Sequence, residues 1–141
     1  MTKIKLVTTL VLFMLVRIAL SQHSDQAKPS PKAITNILLE QMLSENDLKN
    51  NIVRMETVVF PPSYNSVKHI HPCPLFVYVL EGELLSEFEG VKKTYKAGDT
   101  FYEKAAGVHS VTQNNSTTNP VKILVFYLMK EGEKTFIPME H

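Results

Sequence analysis

The chain has 141 residues, 44% of them hydrophobic and 21% charged, and a formal net charge of +1. That length leaves room for one compact domain behind a targeting segment and excludes a two-domain enzyme; the apolar share is too high for a mostly disordered chain. Lys3, Lys5 and Arg17 fall in the first 21 residues with no acid among them, which leaves 12 of the 15 basic residues against 14 acidic ones in the remainder. No basic run follows, so nucleic acid, whose phosphates call for clustered cations, is excluded as a partner.

Residues 1–21 contain two lysines, an apolar run from Leu6 to Val16, and the small residues Ala19 and Ser21 at the positions a signal peptidase reads. They are predicted to be a secretory signal peptide, which makes the mature protein secreted or periplasmic. The run is about half of the roughly 20 residues that span a bilayer, and Arg17 ends it, so no stable membrane anchor is expected. Residues 22–32 (QHSDQAKPSPK) are polar, contain two prolines and form a linker; the folded domain is expected over 33–141. Cys73 is the single cysteine, so neither an intrachain disulfide nor lipoprotein attachment at the cleavage site is available. A domain of this size must then be held by its core, with a metal as the remaining staple.

Residues 34–45 (ITNILLEQMLSE) have the Leu, Glu and Met content of a helix but are read as a strand pairing with residues 52–60 across SENDLKNN. Residues 52–60, 75–80 (LFVYVL), 84–88, 100–102 and 121–129 (VKILVFYLM) are short, rich in β-branched and aromatic residues, and separated by Gly, Pro or Asn turns. This spacing predicts an all-β sandwich or barrel. LFVYVL and residues 123–128 are apolar at both parities, the pattern of strands covered on both faces, and are expected at the centres of the two walls. Residues 114–120 (NNSTTNP) read as a turn and hold two overlapping glycosylation patterns, which matter only in a cell that glycosylates.

The chemistry begins at His69-Ile70-His71. On an extended strand, alternate side chains share a face, so both imidazoles project toward one ion. From His69 the chain reads HIHPCPLFVYVLEGE and, after a further strand and turn, YKAGDTFYEKAAGVHSVTQN. Two motifs in this order resemble the cupin superfamily. His69, His71 and residues 78–82 (YVLEG) match its first motif; Gly98, Asp99 and His109 match its second.

The resemblance spans roughly residues 52–129 and implies a small, single-domain jelly-roll β-barrel. In it, His69, His71 and His109 converge on a divalent metal ion: iron, zinc, copper, nickel or manganese. Three departures stand out. The acidic ligand expected four residues after the second histidine is Leu75. The proline and glycine of the second turn fall on Lys104 and Ala106. The asparagine expected four residues after the third histidine falls on Gln113, with Asn114 next to it. Loss of the acid points to a subgroup of small cupins in which three histidines and water hold the ion, or in which no metal binds.

Tyr78, Glu103 and Gln113 are pocket candidates, and no catalytic residue is assigned. Glu103 shares the parity of Phe101 and has three open readings: an outward charge, a proton-transfer group, or a substitute ligand from another strand. Cys73 is a weaker candidate for copper or zinc, and His23 and His141 are expected to be solvated. The resemblance implies a small-molecule partner, acted on by a metal-dependent oxygenase or isomerase. A non-catalytic barrel that binds or senses a small molecule is the alternative, because one scaffold hosts many chemistries. A homodimer paired through its sheets is the further structural possibility.

Overall fold

The computed structural model describes residues 31–140. The signal-peptide segment 1–21, nearly all of the linker 22–32, His23 and His141 lie outside the described residues. Ten strands follow in chain order: β1 (Ile34–Met42), β2 (Asn51–Phe60), β3 (His69–Ile70), β4 (Leu75–Glu81), β5 (Glu83–Phe88), β6 (Val91–Lys96), β7 (Thr100–Glu103), β8 (Val108–Gln113), β9 (Val121–Lys130) and β10 (Ile137–Pro138). They form two five-stranded antiparallel sheets, ordered β1-β2-β9-β4-β7 and β10-β3-β8-β5-β6. The all-β jelly-roll expectation is met. Among the described residues no helix is long and apolar enough to cross a membrane.

The segment 34–45 forms an edge strand over Ile34–Met42, paired along nearly its whole length with β2. Every residue of it is exposed, so backbone pairing rather than burial holds it in place, helped by Arg54 bonding through Nε to Glu40 at 2.6 Å. The Asn-rich connection turns tightly through Asn46–Leu48 and through Asn50, whose φ of 69° lies in the left-handed region that Asn tolerates better than most residues.

Period-two alternation builds the interior. Ile52, Val58 and Phe60 of β2, Leu75, Val77 and Val79 of β4, and five alternate residues of β9 from Val121 to Met129 are all buried. Fully burying each side chain of this size contributes about 1.5–3 kcal/mol. The opposite sheet is different in kind, because its buried inward residues are largely polar: His69, Ser86, His109 and Thr112, with Leu84. An apolar wall therefore faces a polar one across a cavity of about 530 Å³.

The expected placement of the two doubly apolar strands needs correction. β4 and β9 are neighbours in one sheet rather than the centres of opposite walls. Their outer faces are open, with Phe76 55%, Tyr78 43% and Phe126 38% exposed. Apolar residues at both parities show that neither face repels its neighbours; they do not show that a layer covers both. On the outer face the rings shelter one another instead, Phe76 packing on Tyr102 with centroids 5.2 Å apart.

Candidate metal centre

His69 and His109 are cross-strand partners in the short β3–β8 pair, so both side chains rise from the same place on the polar wall. His71 follows β3 directly, and its carbonyl accepts the Ala106 N–H at 2.7 Å, tying it to the turn before β8. That turn carries Ala106 at a φ of 58°, where the family resemblance places glycine. Each of the three histidines offers a ring nitrogen within 4.8 Å of the others.

In His69 and His71 the second ring nitrogen fixes which one is free. His69 Nδ1 lies 2.8 Å from the Val67 carbonyl, and His71 Nδ1 lies against the Thr135 carbonyl. A carbonyl only accepts, so both Nδ1 atoms carry the proton and donate it, and both Nε2 atoms of the neutral rings hold lone pairs. Those two Nε2 atoms are 3.2 Å apart. His109 Nε2 lies 3.0 Å from each of the Ser86 and Thr112 hydroxyls, while its Nδ1 is buried without a hydrogen-bond partner. Those hydroxyls can accept from Nε2, and in that tautomer the Nδ1 lone pair is the one left for an ion.

Burial favours the neutral form of His69 and His71. Desolvation drives His69 down to about 4, with the other two imidazoles adding to it against the Val67 hydrogen bond, and it also holds His71 below its ordinary value. Two lone pairs at 3.2 Å repel unless a cation or a shared proton lies between them, and low basicity disfavours the proton. The donor set therefore fits a divalent ion of the kind that neutral imidazole favours. Carbonyls and hydroxyls that orient ligand rings from behind are the usual support of such sites.

Glu103 is 2% exposed and lines the same cavity. Its Oε1 is 3.4 Å from His109 Nδ1 and its Oε2 3.8 Å from His71 Nε2. The outward-charge reading of this residue is thus excluded. Tyr78 is corrected: it alternates with the inward Val77 and Val79 and faces outside. Gln113 is also corrected, through a bulge. Phe88 pairs with His109 but Glu87 pairs with Val111, so one extra residue on β8 reverses the parity beyond it. Thr112 turns inward in place of Gln113, and Asn114 is fully buried. Asn114 Nδ2 donates to the carbonyls of Phe60, Pro61 and Asn119, so it anchors the following loop and leaves only Asn115 of the two glycosylation patterns exposed.

Cys73 is buried in the core outside the histidine cluster, and burial pushes its thiol up to about 11. The sequence reading passed over several residues at the cavity: Ser86 and Thr112 behind His109, Glu56 and Tyr127 on the apolar wall, and Phe136, which stacks on His69 with centroids 4.3 Å apart. Glu56 was findable, because an acid at an inward parity of IVRMETVVF breaks the apolar alternation. Phe136 carried no such signal, since its position depends on the chain end returning to pair with β3.

A two-sheet jelly roll with three imidazoles turned into its interior cavity defines the small barrel proteins that present a histidine donor set to a bound ligand. The family model of the cupin domain matches residues 56–127, and the chain belongs to that family. Among solved structures it is similar to a cupin superfamily protein from Desulfitobacterium hafniense, at TM-score 0.56 and 14% identity over 73% of this chain and 83% of that one. It is similar to the cupin domain of an XRE family transcriptional regulator from Enterobacter cloacae, at TM-score 0.52 and 18% identity over 69% and 96%. It also resembles DMSP lyase DddQ from Ruegeria pomeroyi, at TM-score 0.53 and 20% identity over 63% of this chain and 45% of that one. No curated protein matches the chain.

Proposed function

We propose that the protein is a secreted or periplasmic cupin that holds a divalent metal ion through His69 Nε2, His71 Nε2 and His109 Nδ1, and that it acts on a small molecule bound in the adjoining cavity as an oxygenase or isomerase. The observation that carries this reading is the convergence of three imidazoles, each offering a ring nitrogen within 4.8 Å of the others while its other nitrogen is occupied by Val67, Thr135, or Ser86 and Thr112. When bound, the ion would supply Lewis-acid polarisation or activation of an oxygen ligand. The chain's own part is positional. Leu75, Val77, Ile123 and Val125 give the small molecule an apolar wall and keep water from the site. Glu56 and Tyr127, whose protonated forms burial favours, offer hydrogen-bonding groups on that wall.

The similarity to a regulator's cupin domain favours a second reading, a barrel that binds a small molecule without turning it over. Metal content and turnover separate the two. Purified protein is expected to carry about one equivalent of metal by elemental analysis, and His69→Ala, His71→Ala and His109→Ala each to lose most of it. His23→Ala and His141→Ala are expected to retain it. Metal retained equally in His109→Ala and the parent would sink the proposed ligand set. Metal bound without turnover on a panel of small oxidisable and isomerisable compounds would favour the binding module.

A further inference from the structure

The geometry points to Glu103 as a fourth protein ligand of the same ion, delivered from β7 in place of the acid that Leu75 cannot supply; this rests on the three-histidine reading above. The two positions are linked by strand register, because Leu75 and Glu103 are direct partners in the antiparallel β4–β7 pair. Residues so paired hold their Cβ atoms about 4.5–5.5 Å apart on one face. A carboxylate at 103 therefore enters the cavity beside the place from which one at 75 would enter it.

Distances support ligation over a simple contact. With metal–donor bonds of about 2.1 Å in a tetrahedral arrangement, two donor atoms of one ion lie about 3.4 Å apart. His69 Nε2 and His71 Nε2 are 3.2 Å apart, Glu103 Oε1 and His109 Nδ1 are 3.4 Å apart, and Glu103 Oε2 and His71 Nε2 are 3.8 Å apart. These separations suit atoms that share a neighbour. Glu103 Oε2 and His109 Nδ1 are both buried without a hydrogen-bond partner.

The structural alternative is a buried ion pair, for which the only partners within reach among the described residues are His71 and His109 in their protonated forms. Among the described residues no lysine or arginine lies within salt-bridge distance of Glu103; its neighbour Lys104 instead pairs with Glu89 at 2.7 Å on the exposed side. A carboxylate this deeply buried needs a compensating charge or a full set of hydrogen bonds. A divalent ion beside three imidazoles supplies the charge.

The test is titration of the metal-free protein with cobalt(II), read by affinity and by its visible absorption, whose shape and intensity report coordination. Glu103→Gln keeps the size of the side chain but removes the anionic donor. It is expected to weaken cobalt binding by at least about 10-fold, comparable to the loss of a supporting group in metal sites, and to change the spectrum. Circular dichroism monitors folding. If the Gln variant does not fold, Glu103→Asp gives the same readout, because it keeps the charge but withdraws the oxygens by one methylene. A folded variant with the parent's affinity and spectrum would remove Glu103 from the site and leave the three histidines standing. A parent that binds neither cobalt nor zinc would overturn the histidine site and Glu103 together.

Discussion

Leu75 and Glu103 face each other across β4 and β7, each 2% exposed, so the buried carboxylate of this pair comes from the strand opposite the one that carries the family's acid. Leu75→Glu would set a second carboxylate beside the first in a low-dielectric space. In the metal-free protein this is expected to lower stability by at least about 3 kcal/mol, the scale of an uncompensated buried charge. Exchanging the pair, Leu75→Glu with Glu103→Leu, should recover most of that loss. Chemical denaturation of the three metal-free proteins measures it; a Leu75→Glu single variant as stable as the parent would mean that the two side chains do not share one space.

The strands and the His69–His71 pair were legible in the sequence because both depend on short-range order, period-two alternation and a spacing of two residues, whereas the jelly-roll topology and the third histidine, His109, came from the resemblance of two ordered motifs to the cupin superfamily. The arrangement of the strands was less legible. Apolar residues at both parities of LFVYVL and VKILVFYLM suggested two covered walls, whereas register and chain crossing set them side by side with an open outer face. Gln113 failed for a local reason. The bulge opposite Glu87 and Phe88 adds a residue that no composition signal marks, and it turns Thr112 inward instead. Glu103 was recognised as a candidate, but its choice among three readings awaited the cross-strand pairing with Leu75.

Glu56 gives a pH-dependent prediction. Burial raises its pKa above the ordinary carboxylate value, against the opposing effects of the Tyr127 hydrogen bond and of Arg54. Between the unfolded value of about 4.5 and the raised folded value, the native state binds more protons than the unfolded one, so stability falls as pH rises through that window. Glu56→Gln removes the titration and keeps a polar group beside Tyr127. Its stability relative to the parent should increase from pH 4.5 toward neutrality. A difference between variant and parent that stays constant with pH would rule out this role for Glu56.

Cys73 should be unreactive in the native protein. The thiolate is the nucleophile, and with a pKa of about 11 and 2% exposure very little of it forms or meets solvent at pH 8. Alkylation by iodoacetamide at that pH is expected to be slow until denaturant is added. Rapid labelling of the folded chain, followed by mass spectrometry, would contradict the buried placement.

The secreted reading predicts a mature N-terminus at or near Gln22. A short apolar core behind Lys3 and Lys5, followed by Ala19 and Ser21, is what a signal peptidase cuts, and Arg17 interrupts any longer span. Intact mass and N-terminal sequencing of protein from the extracellular or periplasmic fraction should show loss of about 21 residues. Recovery of the chain with Met1 in a membrane fraction would argue for an anchor instead.

Gly107 links the turn before β8 to the candidate metal centre. A Cβ there would lie 2.2 Å from Phe88 Cζ and 2.7 Å from its Cε2, far inside contact distance, so the ring would have to move. Phe88 meets His109 edge-on with centroids 6.0 Å apart, and His109 holds its orientation through Ser86 and Thr112. Gly107→Ala is therefore expected to cost about 1–3 kcal/mol, the range for overpacking, and to weaken metal binding through a displaced His109. Phe88→Leu makes room at the same place. A double-mutant cycle should show that Gly107→Ala costs clearly less in the Phe88→Leu background than in the parent, a coupling of at least about 0.5 kcal/mol. Additive costs would mean that the strain of an alanine at 107 does not pass through Phe88, and the proposed route from the turn to His109 would fail with it.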